Sequence, residues 1–215
     1  MRHKQLAILF FIFQFALFSQ DQEKSKTQIQ KTSLSENFWD RTEFKVGFVG
    51  TVFWSNGLSI GGEYLWKENE KTKIRRGKER TNTHQFLFNG NLGFVTNFST
   101  KTDTGAYTNF GLTWRRTNKQ GIQFSIELNP LGYYRSFLPE TYEVNGDSVD
   151  KVFLPGRGYY APSLSVGIGR KRKGKVRSAN YFNINYTMRT PYNAGALPTF
   201  SFQYGFRFNF KNKKR

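Results

Sequence analysis

The last stretch of the chain, Thr199 to Phe210 (TFSFQYGFRFNF), constrains the fold more than any other. Phe200, Phe202, Tyr204, Phe206, Phe208 and Phe210 share one parity, and Ser201, Gln203, Gly205, Arg207 and Asn209 share the other. Successive strand side chains point to opposite faces, so this segment reads as a strand with one aromatic face and one polar or small face. A soluble sheet would bury the aromatic face against a second layer. A transmembrane barrel would turn it toward lipid and keep the polar face in its lumen.

The same alternation recurs upstream. It places Phe44, Val46, Phe48, Val52 and Trp54 on one face of a first strand, and Leu58, Ile60, Tyr64 and Trp66 on one face of a second. Phe86, Phe88, Leu92, Phe94 and Phe98 mark a third; Ala106, Phe110, Leu112 and Trp114 a fourth; Ile122, Phe124, Ile126 and Leu128 a fifth. Tyr160, Pro162, Leu164, Val166 and Ile168 mark a sixth, and Phe182, Ile184, Tyr186 and Met188 a seventh. Each segment is near the roughly 9 to 11 residues that a tilted strand needs to cross a bilayer. Eight antiparallel strands are the smallest usual outer-membrane barrel. The expectation is an all-β chain forming a single antiparallel up-and-down transmembrane β-barrel of eight strands, over residues 43–210.

The connections carry the turn chemistry and most of the charge. Ser55-Asn56-Gly57 reads as a tight hairpin turn, and Asn118 to Gly121 as another. Pro130 reads as the end of regular pairing in the fifth strand, or as a bulge. Glu68 to Thr83 is either a long loop or a continuation of two strands that turn near Arg76-Gly77. Leu138 to Gly156 is the longest acidic connection. These two long connections fall at opposite ends of an eight-stranded barrel, whereas such barrels usually alternate long external loops with short periplasmic turns.

Ahead of the strands, Arg2, His3 and Lys4 precede an apolar run from Leu6 to Phe18 and a small residue, Ser19. That is the layout of a signal peptide over residues 1–20. Residues 21–42 read as a polar leader, and 211–215 as a basic tail. There is no cysteine, so neither a disulfide framework nor a thiolate metal site is available. The formal net charge is +18, and without Arg2 and Lys4 it is still +16. Such a surplus favours polyanions. Export argues against nucleic acid and points instead to lipid phosphates, with lipopolysaccharide as one source.

The polar face separates the two readings of the aromatic one. Water-facing strand positions should be rich in Lys, Glu and Thr; here they are mostly Asn, Gln, Ser and Gly, with isolated charges at Lys45, Glu63, Arg115, Glu127, Arg189 and Arg207. Small and amide residues fit a narrow, hydrogen-bonded lumen, where charges must pair. Those six form the candidate lumen network, read first as a structural plug and second as a gated ion path. The lipid-facing set is Phe86, Phe88, Phe94, Phe124 and Phe182 together with the aromatic face of the last strand, Phe200 to Phe210. Arg170, Lys171, Arg172, Lys173 and Lys175 form a basic run suited to anionic headgroups. Within Gly169 to Val176, GRKRKGKV is one residue short of a phosphate-binding loop: Val176 replaces the hydroxyl, and no helix pattern follows.

His84 is the sole histidine after the signal segment, with Thr81 and Thr83 nearby as weak candidate hydroxyls. A hydrolase would need an activated hydroxyl and an orienting acid beside it. No metal-spaced cluster and no cofactor motif is present in the sequence.

Signal peptide, polar leader, alternating strands and aromatic last strand together resemble a small Gram-negative outer-membrane barrel of the OmpA type. Gln85 to Phe94 (QFLFNGNLGF), Thr141-Tyr142-Glu143-Val144 and Ala161 to Gly167 (APSLSVG) are similar to uncharacterised barrel proteins of Bacteroidetes-type bacteria. The resemblance implies an outer-membrane location, insertion by the outer-membrane assembly machinery and no catalytic residues. It departs from the pattern at the end, where Lys211 to Arg215 follow Phe210. The expected function is a non-enzymatic envelope protein acting structurally or through its loops. The alternatives are a narrow channel or transporter, a lipid-modifying enzyme and a soluble lipocalin-like lipid binder.

Overall fold

The computed structural model describes residues 38–51, 55–75, 78–98, 104–138, 141–145, 148–153, 155–171, 177–192 and 195–209. The chain divides into Met1–Lys31, wholly outside the described residues, and Thr32–Arg215, to which everything below refers. The expected signal peptide, most of the expected leader, Phe210 and the basic tail therefore lie outside the described residues.

A short 3-10 turn, Phe38–Arg41, leads into β1 (Thr42–Thr51), followed by β2 (Asn56–Arg75), β3 (Lys78–Thr96), β4 (Thr104–Asn118) and β5 (Ile122–Phe137). A two-stranded hairpin, β6 (Tyr142–Asn145) and β7 (Ser148–Lys151), forms its own small sheet. The wall resumes with β8 (Gly156–Tyr160), β9 (Ser163–Lys171), β10 (Arg177–Tyr192) and β11 (Gly195–Asn209). β8 and β9 lie end to end between β5 and β10 and act as one wall strand. β11 pairs with both β10 and β1, which closes eight wall strands into an antiparallel up-and-down ring with no free edge.

Parity decides which side chains face out. In β11, Phe200, Phe202, Tyr204 and Phe206 are exposed, while Gln203, Gly205 and Arg207 are buried. In β5, Ile122, Phe124, Ile126 and Leu128 are exposed, while Gln123, Ser125, Glu127 and Asn129 are buried. The interior is thus the polar face, the reverse of a soluble barrel.

One local feature differs from the sequence expectation, and at two others the structure selects one of the two readings the sequence offered, the bulge at Pro130 and the strand continuation over Glu68 to Thr83. Asn56-Gly57 is not the turn: both residues pair with β1, and the chain reverses between Thr51 and Ser55, joined by a 2.8 Å backbone hydrogen bond. The glycine is needed at 57 because a Cβ there would run into the Phe94 carbonyl of β3. The fifth strand does not stop at Pro130; it bulges, with Phe110 opposite Leu131 and Leu112 opposite Leu128, and continues to Phe137. The extra residue reverses the phase, so Gly132 and Tyr134 point inward while Leu131, Tyr133 and Arg135 point out. Finally, Glu68 to Thr83 is not a loop. β2 and β3 stay paired from Asn56↔Thr96 out to Arg75↔Lys78, a ribbon that runs beyond the β4 pairing, which ends at Asn82↔Asn118.

The long connections do lie at opposite ends. The β2–β3 ribbon stands at the end that holds the start of β1 and the end of β11, and the β6–β7 hairpin at the other. At the ribbon end, the β4–β5 turn is closed by Gly121 at φ +81°, its amide 3.0 Å from the Asn118 carbonyl. The Ile122 amide donates to Asn118 Oδ1 at 2.8 Å.

Candidate functional site in the lumen

The lumen near the terminus end is filled by charge. Register brings like charges side by side on neighbouring strands: Glu43 opposite Glu63, and Lys45 opposite Arg207. Each pair would be destabilising alone. Residues from the far wall resolve both. Arg115 of β4 donates to Glu43 at 2.7 Å and also to Glu63. Glu127 of β5 accepts from Lys45 at 3.1 Å and lies 3.8 Å from Arg207 Nη2. Lys45 reaches Glu63 at 3.0 Å and Arg207 Nε lies 3.5 Å from it, so three cations meet three carboxylates in one connected network.

Apart from Glu43, which is 30% exposed, the network is sealed from water. Arg115 and Glu63 have no measurable exposure. Neutral side chains supply further bonds: Asn183 Nδ2 donates to Glu127 at 3.0 Å, and Arg207 donates to Gln123 at 3.3 Å. The Tyr181 ring lies across the lumen, 5.1 Å from Lys45 Nζ and 4.7 Å from the Arg207 guanidinium carbon. Its hydroxyl would be hit by a Cβ on either Gly47 or Gly205, so those glycines make the room it occupies. Both cations gain attraction from the ring face.

Above this layer the lumen turns uncharged. Asn91, Asn109, Asn129, Asn185, Ser165 and Gln203 line a cavity of about 50 Å³, with Glu127 at its floor. That volume holds a few waters and no larger solute. Beyond it, Val49, Val95, Tyr134, Tyr159 and Ala161 pack together with Tyr107. Arg189 belongs here, its guanidinium 3.5 Å from the centre of the Tyr134 ring.

Five of the six charges singled out in the sequence, Lys45, Glu63, Arg115, Glu127 and Arg207, therefore meet, and Arg189 does not. Glu43, absent from the expected set, joins them; it lies one residue before the expected start of the first strand and on the inward parity of Lys45.

On the outside, Phe86, Phe88, Phe94, Phe124, Phe182, Phe200, Phe202, Tyr204 and Phe206 are all exposed. Phe208 is half-buried at 6.0 Å from Phe44, and Phe210 lies outside the described residues. Arg170 and Lys171 are exposed at the terminus end; Arg172, Lys173 and Lys175 lie outside the described residues. His84 faces outward, 5.7 Å from the Trp114 ring, while its neighbour Thr83 takes the opposite face and Thr81 bonds Thr72 at 3.1 Å. The hydroxyls near His84 in sequence are thus not brought to it. Among the described residues, no three His, Cys, Asp or Glu side chains are placed to hold a metal ion. No family model, curated protein or solved structure matches this chain.

Proposed function

We propose that this chain is an outer-membrane β-barrel of the small OmpA type, a non-enzymatic envelope protein whose lumen is plugged by its own charges and which acts through its rims. The observation that carries this reading is the outer wall. Phe, Leu, Ile, Val and Tyr side chains stand exposed around the whole ring, among them Leu58, Phe88, Leu128, Val166, Ile184 and Phe206. Water-soluble proteins seldom expose apolar patches beyond about 300–600 Å², and a band that encircles the fold suits a hydrocarbon solvent. From Phe200 to Phe208 the outward face of β11 is aromatic at every alternate position. Eight residue steps of about 3.3 Å at a tilt of about 40° give a band about 20 Å tall, near the ~25 Å of outer-membrane barrels.

The start of β1 and the end of β11 lie at one end, as an even number of wall strands requires. For an exported chain, that end is the periplasmic one, and the β6–β7 hairpin then faces the exterior. The test is the electrophoretic mobility of the full chain from isolated outer membranes, with and without boiling. A folded membrane barrel stays in the membrane pellet and shifts mobility only on heating. Recovery in the soluble periplasmic fraction, with no heat-dependent shift, refutes the reading.

A further inference from the structure

Of the three cations in the lumen network, Lys45 alone is a primary amine, and it is held beside an amide. Its Nζ donates to Glu127 Oε1 at 3.1 Å and to Oε2 at 3.4 Å. Asn183 Nδ2 donates to the same Oε1 at 3.0 Å. One carboxylate oxygen thus holds an amine from β1 and a carboxamide from β10, the two strands that flank β11. All three side chains are buried, and Asn183 has no measurable exposure. Asn183 Oδ1 has no hydrogen-bond partner, so no donor fixes its carbonyl.

The surroundings favour loss of charge from the amine. Register sets Lys45 directly opposite Arg207, and like charges so placed repel. Burial out of reach of water penalises an ion pair, and a neutral amine beside a neutral acid escapes that penalty. Proximity does the rest. An amine and an acyl group that share one acceptor need no encounter step.

We propose that Lys45 and Asn183 join covalently, by an amide bond formed in the folded lumen with Glu127 as the catalytic acid and base. Glu127 takes one proton from the Lys45 ammonium. The neutral Nζ then attacks Asn183 Cγ and forms the new C–N bond. Glu127 passes its proton to Nδ2 and takes the second proton from Nζ. The Cγ–Nδ2 bond breaks, and ammonia leaves. Nothing is oxidised or reduced, and no co-reactant is needed. One cation and one carboxylate disappear together, which leaves Arg115 and Arg207 against Glu43 and Glu63. The bond ties β1 to β10 across the strand that closes the ring. It rests on the lumen alone, so it stands or falls separately from the membrane reading.

The test is the intact mass of the full chain, folded from urea, against the same chain kept in urea throughout. The folded wild type should be lighter by one ammonia, and its digest should contain a branched peptide linking Lys45 to Asn183. After boiling it should run ahead of boiled Lys45→Met, because a closed loop survives heat. Lys45→Met and Asn183→Ala should each keep the mass of their unfolded chains. Glu127→Gln should form the bond roughly a hundredfold more slowly, or not at all. A folded wild type at the mass of the unfolded chain overturns the proposal, whatever the variants do. Loss of ammonia that persists in Lys45→Met overturns it too. Loss of water instead of ammonia puts the bond on Glu63 or Glu127 and overturns the choice of Asn183. A Glu127→Gln chain that reacts as fast as the wild type overturns the role of Glu127.

Discussion

Glu127 shows what a single residue does in this lumen. It accepts from Lys45 and Asn183 and lies beside Arg207, and its exposure is 2%. Removing one partner of a buried pair leaves an uncompensated charge and typically costs about 3–5 kcal/mol. Glu127→Gln should therefore lower the unfolding free energy of the barrel, read from urea titration, by an amount in that range. The double variant Lys45→Met, Glu127→Gln returns the network to two cations and two carboxylates and should recover a good part of the loss. A double variant no more stable than the Glu127→Gln single one would show that charge balance is not what holds the layer. Arg189→Ala acts elsewhere. It removes stacking on Tyr134, and because Arg189 and Glu127 line one cavity, a double-mutant cycle with Glu127→Gln should show a departure from additivity.

At the scale of elements, what was legible in the sequence was parity. A period of two shows directly that Phe200 to Phe206 face one way and Gln203 to Arg207 the other, with no knowledge of neighbouring strands. Height along the barrel was not legible. Arg189 shares the inward parity of Asn183, but six residue steps of roughly 3.3 Å place it about 20 Å further along the strand, beside Tyr134 rather than Glu127. Nor did Asn56-Gly57 declare itself, because glycine serves both a reversed turn and a close backbone approach, and only the neighbour Phe94 tells which. Pro130 signalled either an end to pairing or a bulge, and only the partner strand β4 tells which. The bulge there can be tested by length. Deleting Pro130 should remove the extra residue and join inward Asn129 directly to outward Leu131, so Gly132 and Tyr134 stay inward and the Tyr134–Tyr159 contact at 6.2 Å is kept. The heat-modifiable form should then persist; its loss would show that the barrel needs the bulge itself. The β6–β7 hairpin bonds only to itself as a sheet. Replacing residues 141–152 with a short Gly/Ser link should leave the heat-dependent mobility shift intact.

For the whole molecule the question is whether this barrel conducts. Two layers close it: the charge network at the terminus end and the Tyr/Val cluster at the other, with a cavity of about 50 Å³ between them. Room for a few waters in the middle is not a path, since an ion would need to displace Arg115, Glu63 or Lys45, all held by two or more partners. The wild type should accordingly show no single-channel steps in planar bilayers. Opening it requires taking out bulk without stranding a charge. Glu63→Ala with Arg115→Ala removes one carboxylate and one cation, leaves Glu127 against Lys45 and Arg207, and frees Glu43, already 30% exposed, to be solvated. At the far end, Tyr134→Ala thins the second layer. Neither change alone breaches both layers, so each should remain silent, and the combination should give small, weakly selective steps. Steps in the wild type that change in size or selectivity on Glu127→Gln would instead make the network a working ion path, and the barrel a channel rather than a plugged wall.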